Sequence, residues 1–173
     1  MYKHKTAIII ALIIVILFTA VWLSGCVKPE TQSDNSTKYT VTLSVVCDTI
    51  LDNMHLLDES KHELVPSDGV IFPATEIIFS DGESVFDVLH RTMQENKIHF
   101  KFVNTPIFDS AYIEGINNLY ELDVGELSGW IYKVNDVFPG FGCSQYKLKD
   151  GDVVEIVYTC DLGRDVGNDF VNE

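Results

Sequence analysis

From residue 39 onward the apolar residues recur either at every second position, which predicts strands, or at the spacing of a helical turn, which predicts one helix. Residues 39–47 and 153–160 alternate between apolar and polar side chains, which is typical of half-buried strands. Shorter alternating runs predict further strands at 75–79, 98–103 and 111–114, near Tyr120 and around Trp130. Proline and Asp-Gly between residues 63 and 73 predict a loop. We therefore expect a long first strand, a long last strand and shorter strands between them.

Residues 84–93 have the period of a helix. Their apolar stripe consists of Val85, Phe86, Leu89, Thr92 and Met93. Ser84 is a good N-cap, and Asp87 stands where the acid of a capping box belongs. The order of elements predicts an α+β fold in which one helix covers a mixed sheet. Asp-Gly-Asp before the last strand resembles β-grasp domains, in which the last strand lies centrally beside the first.

The first 25 residues differ in character from the rest of the chain. Lys3 and Lys5 precede 17 apolar or near-apolar residues at 7–23, about 26 Å of helix. Leu-Ser-Gly-Cys at 23–26 resembles the cleavage signal of bacterial lipoproteins. We therefore predict a signal peptide at 1–25 and a diacylglyceryl group on Cys26, which would hold the protein on the outer face of the cell membrane. The alternative is an uncleaved anchor helix.

Residues 27–38 are polar and predict a flexible linker. Together with lipidated Cys26, this linker occupies residues 26–38.

The charge of the chain limits the classes of partner that it can bind. The whole chain has a net charge of −14, and without the two lysines of the leader 10 basic and 26 acidic residues give −16. Such a surface repels phosphate backbones and anionic lipids. We therefore predict no nucleic-acid binding, and attachment to the membrane through the lipid alone.

No catalytic motif is present in the sequence. It lacks a nucleophile elbow, a P-loop, a dinucleotide fingerprint and the metal-binding spacings of His or Cys, so we predict neither an enzyme nor a metal site. The candidate ligand-binding residues lie on the strand and loop that begin at Gly129. They are Trp130, Tyr132, Asn135, Phe138 and Phe141. Tyr132 fits a buried core equally well, whereas the two phenylalanines lie in a Pro-Gly loop that favours exposure.

Several short segments resemble one bacterial family. They include GWIYKVN at 129–135, GCS at 142–144, LKDGD at 148–152 and YTCDLG at 158–163, with CDTIL at 47–51, GESVFDVL at 82–89 and YIEGIN at 112–117 upstream. Together they resemble the transcobalamin-like C-terminal domain, DUF4430. The resemblance predicts such a domain at 39–167, followed by an acidic tail at 168–173.

The resemblance implies a β-grasp-like fold. It also implies kinship with the small domain that closes over cobalamin in transcobalamin and intrinsic factor. Those carriers complete the site with a large α/α barrel, for which this chain has no room, so a partner would have to supply the other half. If the first and last strands are parallel neighbours, Cys47 and Cys160 end at one edge, which favours a disulfide between them. Cys143–Cys160 is the alternative pairing, and family members often carry Cys where this chain has Val124.

Two functions follow as expectations. The first is a cell-surface lipoprotein whose domain binds a soluble ligand, with cobalamin or another corrinoid as the candidate and no cofactor of its own. The second is a protein-interaction or adhesion module that contacts another cell-surface protein through the same loops. An enzyme is the least favoured reading.

Overall fold

The larger of two sheets contains the first and last strands of the domain. A computed structural model describes residues 38–105 and 110–168, and Ser36–Glu173 form one compact unit. The predicted leader, nearly all of the linker and most of the acidic tail lie outside the described residues. Within the described ranges, no helix is long and apolar enough to cross a membrane.

Four strands form the larger sheet in the order β2–β1–β7–β6. Their bounds are Tyr39–Val46 for β1, Val70–Phe79 for β2, Gly129–Val134 for β6 and Val153–Thr159 for β7. β1 runs parallel to β7 with Leu43 opposite Val154, while the other two pairings are antiparallel. The expected β-grasp feature, a last strand lying centrally beside the first, is therefore confirmed.

One face of this sheet is the core of the domain, because alternate residues of each strand point toward it. The inward residues of β1 and β7 are each at most 1% exposed: Val41, Leu43, Val45, Val154, Ile156 and Tyr158. The inward residues of β6 are Trp130, Tyr132 and Val134, and they are also buried. The strand phases predicted from the sequence are correct in all three strands.

Helix α1, Val85–Glu95, packs its apolar stripe against this core. Its predicted capping box is present: the Ser84 hydroxyl accepts from the Asp87 N–H at 3.2 Å, and an Asp87 carboxylate oxygen accepts from the Ser84 N–H at 2.8 Å. The first free N–H groups of the helix find partners in a distant loop. Those of Val85 and Phe86 donate to the carbonyl oxygens of Tyr146 and Cys143, both at 3.1 Å. The start of α1 therefore fixes the loop that follows β6.

A second sheet has the order β3–β4–β5, with β3 at Phe100–Thr105, β4 at Ser110–Ile116 and β5 at Leu119–Tyr120. The Asn117-Asn118 turn between β4 and β5 has φ values of 52° and 60°, which asparagine tolerates well. The sequence predicted these strands but not that they form a separate sheet. β5 pairs only with the end of β4, at Gly115 and Ile116. The first half of β4 is consequently left with one unpaired edge among the described strands.

The predicted boundaries need two corrections. β2 begins at Val70 and passes through Pro73, where the sequence predicted a loop. Because β2 is an edge strand with an irregular register opposite Ser44, the missing N–H of proline leaves no central ladder bond unmade. In addition, 3-10 helices that the predicted strands and helix do not include lie at Asp48–Leu56, Glu59–Leu64 and Arg164–Val166.

Candidate functional site: an aromatic cleft

A cleft of about 200 Å³ opens between the unpaired half of β4 and the outer strand β6. β4 contributes residues 111–113 and β6 contributes residues 130–132. The loop after β6 contributes Phe138, Pro139 and residues 141–143. No charged side chain is among the described residues that line it, so the lining is suited to apolar surface rather than to charge.

Trp130 and Tyr132 form the floor of this aromatic cleft. Both are buried, at 5% and 8% exposure. The Trp130 indole N–H donates to the Leu119 carbonyl oxygen at 2.9 Å, and the rings of Trp130 and Tyr158 pack in a T shape with 5.1 Å between centroids. The Tyr132 hydroxyl donates to the Phe141 carbonyl oxygen at 2.8 Å. Their polar atoms are therefore used inside the domain, and only ring surface is left for a ligand.

Phe138 and Phe141 behave differently although both lie in the loop after β6. Phe138 is 8% exposed and belongs to the wall of the cleft. Phe141 is 51% exposed and stacks on Tyr146 with 6.1 Å between ring centroids. The Tyr132 hydrogen bond holds the Phe141 backbone in place, so its ring is presented at the rim by a fixed main chain. Phe141 is the predicted residue best placed to contact a ligand.

Asn135, the fifth predicted residue, does not line the cleft. Its side-chain amide donates to an Asp152 carboxylate oxygen and its side-chain oxygen accepts from the Val153 N–H, both at 2.9 Å. Asn135 and Asp136 both have positive φ and close the tight turn between Val134 and Val137. Asn135 therefore holds the turn to β7.

Sequence reasoning missed the contribution of β4. Tyr112 is 43% exposed, lines the cleft opposite β6 and donates its hydroxyl to Glu121. Ala111 is small enough to leave the opening free, and its N–H is bound by the Ser144 hydroxyl at 2.9 Å. The exposed position of Tyr112 on an alternating strand was the available signal. Its position opposite Trp130 depends on how the two sheets pack, which the pattern does not encode.

The titratable groups of the aromatic cleft are held in their neutral forms. Burial raises the pKa of the Cys143 thiol to about 11. Burial, and then the hydrogen bond to Glu121, raises the pKa of Tyr112 to about 12, and burial also raises the pKa of Tyr132. These groups are therefore uncharged near neutral pH, and the site is suited to an apolar ligand.

The predicted disulfide between Cys47 and Cys160 is not formed in the structure, where Cys47, Cys143 and Cys160 are free thiols. The strand register supplies the reason. Val46 lies beside Val157, and continuing this register brings Cys47 level with Tyr158, two residues short of Cys160 and roughly 7 Å along the strand. The Cys160 sulfur lies instead 3.7 Å from the Thr49 hydroxyl oxygen.

The acidic residues after β7 hold their own loop together. Asp165 accepts from the Cys160 N–H at 2.7 Å and from the Thr159 hydroxyl, while Asp161 pairs with Arg164 at 2.6 Å. Among the described residues, no three His, Cys, Asp or Glu side chains are grouped as metal ligands would be.

Comparison with known families supports the resemblance seen in the sequence. Residues 82–159 match the family described as a domain of unknown function, DUF4430. The predicted resemblance is therefore supported over this segment, which includes α1, the second sheet, β6 and β7. No curated protein sequence matches the chain.

Solved structures share the fold at low sequence identity. Haptocorrin in complex with Cbi is 15% identical, with a TM-score of 0.52, over 78% of this chain and 28% of the haptocorrin chain. The chain thus spans little more than a quarter of that protein, and the likeness concerns the fold alone. A proposed metal-binding protein from Ruminococcus gnavus ATCC 29149 is 15% identical over 70% of this chain and 96% of its own length, with a TM-score of 0.40 that is too low to support a conclusion.

Proposed function

We propose, for a chain whose residues 82–159 match the DUF4430 family, that the domain binds the flat or apolar face of a ligand at the aromatic cleft, with cobalamin or another corrinoid as the candidate. The observation that carries the proposal is the rim ring of Phe141, half exposed on a fixed backbone above buried Trp130 and Tyr132. An exposed aromatic side chain on a rigid main chain binds with little loss of conformational entropy. The uncharged lining favours binding over catalysis.

Size determines how such a ligand would sit. Drug-sized ligand pockets occupy roughly 300–1,000 Å³, so a cleft of about 200 Å³ covers only part of a corrinoid. A neighbouring opening of about 400 Å³ shares Ala111, Tyr112, Phe141 and Gly142 with the cleft and extends the contact surface. We propose that the rest of the ligand is covered by a second protein, as the resemblance to cobalamin carriers implies.

The location of the domain is part of the proposal. A lipid on Cys26 would hold the domain on the extracytoplasmic face of the cell membrane, where a soluble ligand or another surface protein could reach it. In the second candidate function, the aromatic cleft receives a side chain of a cell-surface protein instead of a small molecule. Half-exposed Phe141 and Tyr112 are compatible with that reading as well.

Titration of the compact unit, residues 36–173, with cobalamin tests the ligand. Saturable binding by the wild-type domain that weakens about tenfold or more in Phe141→Ala supports it, because the variant removes only rim surface. Val137→Ala is the matched control. Val137 is also exposed in the loop after β6 but does not line the cleft, so this variant is expected to bind cobalamin as the wild type does. Absence of binding at high micromolar concentration would favour the protein-interaction function.

A further inference from the structure

Three exposed leucines lie together on two loops at one end of the larger sheet. Leu122 and Leu127 belong to the loop between β5 and β6, and Leu162 follows β7; they are 62%, 44% and 46% exposed. The two loops are joined by a backbone hydrogen bond of 2.9 Å from the Leu162 N–H to the Leu127 carbonyl oxygen. Within the loop between β5 and β6, the Leu122 N–H donates to the Ser128 carbonyl oxygen at 3.0 Å and closes that loop on itself. We call Leu122, Leu127 and Leu162 the leucine patch.

Buried hydrogen bonds make the base of the leucine patch rigid. The Tyr158 hydroxyl, at the centre of the core, donates to the Tyr120 carbonyl oxygen at 2.7 Å and lies 3.0 Å from the Ser128 hydroxyl oxygen. The Ser128 hydroxyl also accepts from the Val124 N–H at 3.1 Å. The exposed side chains are consequently presented by a preorganised backbone, which lowers the entropy lost when a partner binds.

Backbone conformation sets two of these leucines apart. Leu122 has φ of 66° and Leu162 has φ of 51°. The other non-glycine residues with positive φ in the described ranges are Asn, Asp and Lys, which suit exposed turns. A left-handed conformation is unfavourable for leucine, and Asn or Gly would form either turn more easily. The turns alone do not explain leucine at both positions, whereas contact with something outside the domain does.

The charges around the leucine patch indicate which kind of surface would bind there. Residues 121–127 and 161–165 carry five carboxylates and one arginine, and Lys61 reaches Asp123 from the neighbouring 3-10 helix at 2.6 Å. This acidic rim would repel the same rim on a second copy and would repel anionic lipid. An apolar centre surrounded by lysine or arginine would be complementary to it.

We propose that the leucine patch docks a partner protein whose surface has an apolar centre and a basic rim. None of the three leucines is among the described residues that line the aromatic cleft. β1 starts at Tyr39, where the predicted linker joins the domain, and runs parallel to β7. The leucine patch follows the far end of β7, about 25 Å along the sheet from Tyr39.

The test uses two synthetic helical peptides titrated against residues 36–173 by fluorescence anisotropy. One peptide has a leucine face and a lysine face, and the other has serine in place of every leucine at the same charge. The comparison variants are the double substitution Leu122→Asn with Leu162→Asn, which the turns accommodate, and Ile78→Ser. Ile78 is 57% exposed on the edge strand β2 and is the matched control.

The proposal predicts that the leucine–lysine peptide binds the wild-type domain at least tenfold more tightly than the serine–lysine peptide. This preference should disappear in the double variant and persist in Ile78→Ser, while the affinity of both peptides for the wild-type domain should weaken at high salt. A preference that is equal in the wild type and the double variant would overturn the proposal. Wild-type self-association that the double variant abolishes would assign the leucine patch to a second copy. Binding to phosphatidylcholine vesicles that depends on the same leucines would assign it to lipid.

Discussion

At the scale of single residues, Leu122 has a backbone conformation that is unfavourable for its side-chain type. With φ of 66° and 62% exposure, it has backbone strain and little burial to offset it. We predict that Leu122→Asn raises the free energy of unfolding by about 1 kcal/mol, because a left-handed conformation costs most L-residues roughly 1–2 kcal/mol and asparagine less. Urea denaturation of the domain measures the change.

Leu127→Asn is the matched control for that prediction. Leu127 lies in the same loop and is 44% exposed, but it is not among the positive-φ residues. The control should leave the stability unchanged or lower it. If both variants lower the stability equally, strain at Leu122 is not the reason for the difference.

The three cysteines should differ sharply in reactivity. Burial, and then the charge of Asp48, raises the pKa of Cys47 to about 12, and burial raises the pKa of Cys143 to about 11. Cys160 is half-buried, and burial raises its pKa as well. We predict that iodoacetamide at pH 8 modifies Cys160 first, because a thiolate must both form and be reached.

Mass spectrometry after limited alkylation of residues 36–173 locates the modified residue. In denaturant all three thiols should react, and this total is the control. Recovery of only one reactive thiol under denaturing, non-reducing conditions would instead demonstrate an internal disulfide. Faster alkylation of Cys143 than of Cys160 would show that the aromatic cleft opens more than its packing indicates.

At the scale of elements, the capping box links helix α1 to pH. Burial opposes the charged form of Asp87, but hydrogen bonds from the Ser84 hydroxyl at 2.7 Å and from its N–H outweigh it, so the pKa of Asp87 is lowered. A lowered folded-state pKa gives stability that is present above the unfolded pKa and is lost as pH falls through the folded value. We predict that Asp87→Asn costs about 1 kcal/mol at pH 7.

The difference between wild type and Asp87→Asn should shrink below about pH 4, near the ordinary pKa of aspartate. Urea denaturation from pH 3 to pH 7 follows it. Glu95→Gln, at the exposed other end of α1, removes the same charge without touching the cap and should show a smaller effect. A constant difference across this pH range would mean that the Asp87 charge contributes nothing to the cap.

Local sequence patterns predicted the strands and the helix, but they did not predict how these elements pack against one another. The strand phases and the capping box follow from periods and caps within ten residues or so, whereas the central last strand was expected only from the resemblance of Asp-Gly-Asp to β-grasp domains. The path of β2 through Pro73 depends on its being an edge strand, and the separate second sheet depends on which strands pair. Four aromatic residues of the cleft were found because one hairpin and its loop carry them. Tyr112 was not predicted as a residue of the cleft because it belongs to β4, a strand of the other sheet.

At the scale of the whole molecule, charge and attachment act together. The chain has a net charge of −14, so it does not approach an anionic membrane by electrostatic attraction. The proposed attachment therefore rests on the lipid on Cys26 rather than on a basic surface. If Cys26 is lipidated as proposed, both the ligand site and the leucine patch are held at the membrane through a residue that neither of them contains.

We predict that the mature protein begins at Cys26 and carries two acyl chains on a thioether-linked glyceryl group, since two chains give stable anchoring where one does not. The measurement is the intact mass of protein extracted from membranes with detergent. Cys26→Ala should keep the leader and lose the lipid mass, while Cys143→Ala should retain both the lipid and the membrane fraction. A wild-type protein that starts at Met1 with an unmodified Cys26 would show that residues 7–23 anchor the chain as a helix, and the domain would then be tethered without lipid.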